Sequence, residues 1–165
     1  MATFKSSTKY RVTNGTGSVR QEDFPEAASQ TFKRGDLVYL VSGKVTVVPS
    51  SPTTEKILGM ALADASGTTD TMLPVLIADD NVEFSVPVYH GTPASAITAV
   101  TDVGLDGGYG LKKATVSSRP AWALDLENTT NDVLFVQSID KEFPAGTQYG
   151  RYWVKVAPLF RELNV

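Results

Sequence analysis

The sequence predicts a mainly β fold: a small antiparallel β-sandwich or barrel of about 8-10 short strands with an extended N-terminal arm. Three observations carry this expectation. Short runs rich in Val, Ile, Thr, Tyr and Phe recur along the chain, separated by Gly, Pro, Asn, Asp and Ser clusters. Thirteen glycines and nine prolines supply the corners between them. No amphipathic helix of three turns can be written anywhere in the 165 residues.

Residues 1–30 lack strong periodicity and are read as the arm, with residues 31–165 forming a single β-domain. Asn14-Gly15 is a turn signal that Thr16-Gly17-Ser18 prolongs, and Pro25 limits any helical turn around Glu22–Ser29. Asp36–Val41 and Lys44–Val48 flank Ser42-Gly43, which reads as a hairpin with a two-residue turn. The short apolar run Ile57–Ala63, with Gly59 inside, reads as a buried strand. Met72–Ala78 and Val82–Val88 flank Asp79-Asp80-Asn81 and read as a second hairpin. In the latter run Val82, Phe84, Val86 and Val88 alternate with Glu83, Ser85 and Pro87, the period of a half-buried strand.

Residues 90–110 are glycine-rich loop, with short strands expected only near Ala96–Thr101. Leu111–Val116 and Ala121–Leu126 are strand candidates split by Arg119-Pro120. Val133–Ile139 and Tyr149–Ala157 complete the set, the latter with Tyr152, Val154 and Val156 on one face and Arg151, Trp153 and Lys155 on the other.

Composition bounds the function. Hydrophobic residues at 42% and charged residues at 20% describe a chain able to build a core. A net charge of −3 is too mild to argue for nucleic acid, and no run approaches the 18 apolar residues of a membrane span. Residues 1–34 hold six basic and three acidic residues, a local charge of +3 against −6 over the remainder. A basic, Ser/Thr-rich segment joined to an acidic body suggests an arm that docks on an acidic surface. No secretory leader opens the chain, so synthesis in a cytoplasm is expected.

Catalytic constellations are missing from the sequence. The single histidine, His90, lies in a loop, and no Gly-x-Ser-x-Gly elbow presents a nucleophile. The absence of cysteine removes disulfides, thiolate metal sites and Cys nucleophiles. Asp79-Asp80-Asn81, and Asp102 with Asp106, leave calcium open, but no EF-hand spacing is present and Asp-Asp-Asn is equally a turn sequence. Gly104–Gly110 precedes a strand rather than a helix, so it is no phosphate cradle. Arg34-Gly35-Asp36 spells an integrin-type tripeptide, but Gly35-Asp36 reads as a turn entering a strand. No catalytic residue, metal or cofactor is expected.

One stretch resembles a known family. Phe32-Lys33-Arg34-Gly35-Asp36-Leu37-Val38-Tyr39, continuing through Ser42-Gly43-Lys44-Val45-Thr46 to Ile57-Leu58-Gly59-Met60-Ala61, is similar to the start of tailed-bacteriophage head decoration (capsid cement) proteins. The resemblance covers residues 30–86. It implies a non-enzymatic virion protein that binds the outer capsid surface, bridges neighbouring coat subunits, forms a homotrimer and has the major capsid protein as partner. An extended arm as anchor makes Lys5, Lys9, Tyr10, Arg11, Arg20 and Phe24 the candidate capsid-binding residues.

Other readings stay open. The chain also suits another virion component: a tail tube, head-fibre base or minor capsid protein. A carbohydrate-binding module requires an exposed aromatic row, for which Tyr89, Tyr109, Trp122 and Tyr149 are the candidates. A hydrolase needs two acids in a cleft with at least one raised pKa.

Overall fold

A computed structural model describes residues 8–13, 19–104 and 108–163 of the protein. The described residues contain eleven strands: β1 (Lys9–Val12), β2 (Gln21–Pro25), β3 (Leu37–Val41), β4 (Lys44–Val47), β5 (Gly59–Ala61), β6 (Met72–Ile77), β7 (Val82–Tyr89), β8 (Gly110–Val116), β9 (Arg119–Asp125), β10 (Leu134–Ile139) and β11 (Arg151–Val156). Three single 3-10 turns, at Pro93–Ser95, Val100–Asp102 and Pro158–Phe160, are the helical elements among them. The fold is mainly β, as expected.

The strands form two sheets. The first runs β10-β11-β7-β9-β8, antiparallel except where β7 and β9 run parallel at Val88–Leu124 and Tyr89–Asp125. Its outer strands meet where Tyr109 and Leu134 exchange backbone hydrogen bonds of 2.9 and 3.0 Å, so the sheet returns on itself. The second runs β2-β6-β5-β3-β4, antiparallel throughout. It too is joined across its ends, where Glu26 bridges Val45 and the Ala27 N–H donates to the Val45 carbonyl at 3.0 Å.

The described parts of residues 8–30 lie on the body. β1 adds to β7, and β2 forms an outer strand of the second sheet against β6. No helical turn forms around Glu22–Ser29, because Phe24 and Glu22 point one way and Gln21 and Asp23 the other. Glu26 is fully buried, its carboxylate accepting from the Ser66 N–H, the Ser66 hydroxyl and the Gly67 N–H at 2.7–2.9 Å. The Asn14–Ser18 turn lies outside the described residues.

Turn chemistry explains which hairpins form. β3 and β4 pair as expected, with Ser42 and Gly43 at φ of 51° and 77°, both left-handed, as a type I′ turn requires. β8 and β9 make the other tight hairpin, through Ser117 and Ser118 at 48° and 65°. Arg119-Pro120 does not split the strands: Pro120 sits within β9 opposite Thr115. The expected hairpin of β6 with β7 does not form. Asp79-Asp80-Asn81 turns instead from the second sheet into the first, with the Asn81 N–H held by the Asp79 carboxylate at 2.8 Å. Ala96–Thr101 holds a lone bridge, Ile97 to Gln148, rather than a strand.

Two cores result. Leu37, Met60 and Leu76 from the second sheet pack with Phe84, Val86, Leu124, Tyr152 and Val154 of the first. The opposite face of the second sheet encloses Phe32, Val38, Val45, Leu58, Val75 and Ile77. Gly59 belongs where strands press closest, since a Cβ there would lie 1.8 Å from the Leu76 carbonyl oxygen. That obstacle is backbone within a ladder and cannot swing aside. Gly59→Ala is therefore expected to cost about 3 kcal/mol or more. Gly43→Ala meets nothing within 4 Å and carries only its left-handed φ, costing about 1–2 kcal/mol. Denaturant midpoints for the two variants check this order.

Candidate functional site

The arm residues separate once placed. Lys5 lies outside the described residues. Lys9, Tyr10 and Arg11 are in β1, Arg20 directly precedes β2, and Phe24 is within it. Arg11 is spent on the body: its guanidinium lies 2.6 Å from the Glu83 carboxylate, donates to the Ser138 hydroxyl at 2.9 Å and covers the Trp153 ring at 4.4 Å. Phe24 packs against the core enclosed by the second sheet. Arg20 holds Glu22 at 2.6 Å, and Lys9 makes an exposed 3.4 Å pair with Glu142. Tyr10, 45% exposed, presents the free apolar surface of this segment.

Beneath β1 lies a polar layer that sequence reasoning missed. Glu83 and Ser85 are buried, although their alternation with valines reads as a solvent-facing side. β7 has β11 on one edge and β1 on the other at Phe84 and Ser85, and the arginines of those neighbours roof its polar face. Arg151 is fully buried. Its Nε donates to the Ser85 hydroxyl at 2.9 Å, a second nitrogen donates to the Ser85 carbonyl, and the Ser85 hydroxyl donates to Asp140 at 3.0 Å. Burial pulls the Arg151 pKa down to about 10, and the charges of Asp140 and Glu142 oppose that shift. The signal available in sequence was Arg151 itself, an arginine within a strongly alternating strand.

A second polar knot closes the first sheet. Tyr152 donates to one oxygen of Asp102 and Tyr109 to the other at 3.1 Å, while the Ala99 N–H donates to the Tyr152 hydroxyl at 2.6 Å. Burial, then the Asp102 charge, pushes Tyr109 up to about 12. Burial and the hydrogen bond to Asp102 push Tyr152 up as well. Asp102 is thus engaged, and Asp106 lies outside the described residues. Asp80 meets Arg161 at 2.8 Å. Among the described residues no three His, Cys, Asp or Glu side chains group to hold a metal.

A third knot ties the two sheets together. Asp36 accepts from Lys113 at 2.8 Å and from the Trp122 indole at 2.9 Å on one oxygen, and from the Lys33 N–H at 3.0 Å on the other. The Arg-Gly-Asp tripeptide therefore offers no free aspartate. Trp122 and Tyr109 are buried in the shared core, so the aromatic row that carbohydrate binding would use is not formed. Glu55 and Asp64 have pKa values held down by backbone N–H groups, chiefly those of Thr53 and Arg34, the direction opposite to that of a general acid. His90 accepts from the Thr92 N–H at 3.0 Å and stands 3.6 Å from Glu127.

No protein family, curated protein or solved structure matches this chain.

Two outcomes follow from this geometry. Arg11→Ala strips the partner from a buried carboxylate and is expected to cost about 2–3 kcal/mol. Adding Glu83→Gln to it should recover part of the loss in denaturant melts. In alkaline titration followed by near-ultraviolet absorbance, Tyr109 and Tyr152 should ionise above the ordinary tyrosine range. Both hydroxyls have raised folded-state pKa values, so their contribution is complete below the unfolded value of about 10. Stability should fall as pH rises above it, and Asp102→Asn should reduce that slope.

Proposed function

We propose that this chain is a non-enzymatic structural protein of a bacteriophage virion, which binds the outer capsid surface and bridges neighbouring coat subunits. The observation that carries the reading is the run from Phe32 to Ala61, where the family resemblance lies. Each of its glycines serves the fold. Gly35 at φ 93° leads into β3, Gly43 completes the type I′ turn, and Gly59 lies against β6. In the fold the run supplies β3, its hairpin partner β4 and β5.

The mode of attachment takes its form from β1. Among the described residues this strand pairs with β7 alone, so its other edge is open to a strand from a coat subunit. Tyr10 stands exposed beside that edge. Arg11 and Phe24 act in this reading as fasteners that hold the segment to its own body, which shifts the contact to Lys9, Tyr10 and the residues before them. A homotrimer sums several such weak contacts over one capsid site.

Sedimentation with heads of the phage that carries this sequence tests the proposal. The protein should co-sediment with expanded heads. Removal of residues 1–7, or Tyr10→Asp, should weaken attachment by about tenfold, equivalent to about 1.4 kcal/mol, without moving the melting transition. Deleting residues 1–30 is unsuitable because it removes β1, β2 and the buried Glu26. Failure to bind any head form refutes the reading, and a monomer in light scattering refutes the homotrimer.

A further inference from the structure

Between the two sheets lies a cleft built from two cavities, of about 310 and 480 Å³, that share Thr8, Arg34 and Gly35. Four cations line it, Lys9, Lys33, Arg34 and Lys113, against a single carboxylate, Asp36. That excess of positive charge sits in a chain whose net charge is −3. The four are not equally committed. Lys113 is held by Asp36 at 2.8 Å. Lys9 and Lys33 make pairs of 3.4 and 3.1 Å with Glu142 and Asp64 on the solvent side. Exposed pairs of that kind hold their partners weakly.

Arg34 differs. Its side chain is exposed and its guanidinium has no hydrogen bond or ion pair among the described residues. Its backbone is fixed, with the Arg34 N–H held by Asp64 at 2.9 Å and the Gly35 N–H by the Ala61 carbonyl at 2.8 Å. A planar, permanently charged fork is thus mounted on a pinned loop, between one cavity lined by Met60 and Leu62 and another lined by Pro120 and Trp122.

We propose that this cleft docks an acidic, extended segment of a partner protein. A carboxylate of the segment pairs with Arg34, and a neighbouring apolar side chain enters the Met60–Leu62 cavity. Charge complementarity selects an anion, and the apolar lining selects a peptide over a phosphate polymer, whose charged backbone would gain nothing from Met60 and Leu62. The proposal extends the reading of this chain as a surface-binding protein by naming the chemistry of one contact.

The test uses the full chain and a fluorescently labelled peptide of alternating Glu and Leu, followed by anisotropy. Binding is expected, and it should weaken as salt rises. Arg34→Glu should lower affinity by about tenfold or more, and Arg34→Lys should restore part of it. Neither change should move the denaturation midpoint, because the side chain has no partner to lose. A Lys-Leu peptide should not bind. Equal binding by wild type and Arg34→Glu, binding of the Lys-Leu peptide, or Arg34-dependent displacement by a short single-stranded oligonucleotide would each overturn the proposal. No capsid enters this assay, so its failure leaves the sedimentation result standing, and a failed sedimentation leaves the peptide result standing.

Discussion

A strand buried on both faces needs a partner for every polar side chain it carries, and β7 is such a strand. Its valines and Phe84 form the middle of the shared core, while Glu83 and Ser85 sit under two arginines. Leaving either residue without its partner would bury an uncompensated polar group. The positions of β1 and β11 follow from that requirement. Arg11 must reach Glu83 from one edge and Arg151 must reach Ser85 from the other, so the two neighbours of β7 are fixed in register by their charges as well as by their ladders.

The contact between the sheets obeys the same rule on a smaller scale. Asp36 is mostly buried at the start of β3, and its carboxylate is shared by an ammonium, an indole and a backbone N–H. Lys113 and Trp122 come from facing positions of the β8–β9 hairpin. The loop preceding β3 is thereby tied to the first sheet, and this tie sets the width of the cleft in which Arg34 stands.

Much of this fold is legible in the sequence, for local reasons. The β3–β4 hairpin announces itself through Ser42-Gly43, because glycine marks a left-handed position. The β8–β9 turn is silent, because two serines occupy left-handed positions that serine seldom takes. Alternation located β7 and β11 correctly, yet it misread their polar faces, since a period of two cannot distinguish water from a buried arginine. The crossing between β6 and β7 was hidden for a related reason: Asp-Asp-Asn turns a chain equally well within a sheet or between two. The arm was the largest difference. Charge and missing periodicity marked residues 1–30 as separate, whereas β1 and β2 are recruited by partners more than forty residues away in sequence, β7 and β6. The inter-sheet knot at Asp36 left no sequence signal at all, because nothing local links Asp36 to Lys113.

The position of Arg151 bears on how the chain is made. It lies 66 residues beyond Ser85, the group it satisfies. During synthesis β7 leaves the ribosome long before β11, and until then its polar face has no guanidinium to cover it. The β3–β4 and β8–β9 hairpins close over two residues each and can form early, whereas the first sheet cannot be sealed until almost every other strand exists. Enclosure of the central strand is therefore expected to wait for β11 to emerge, and to come late in the assembly of the first sheet.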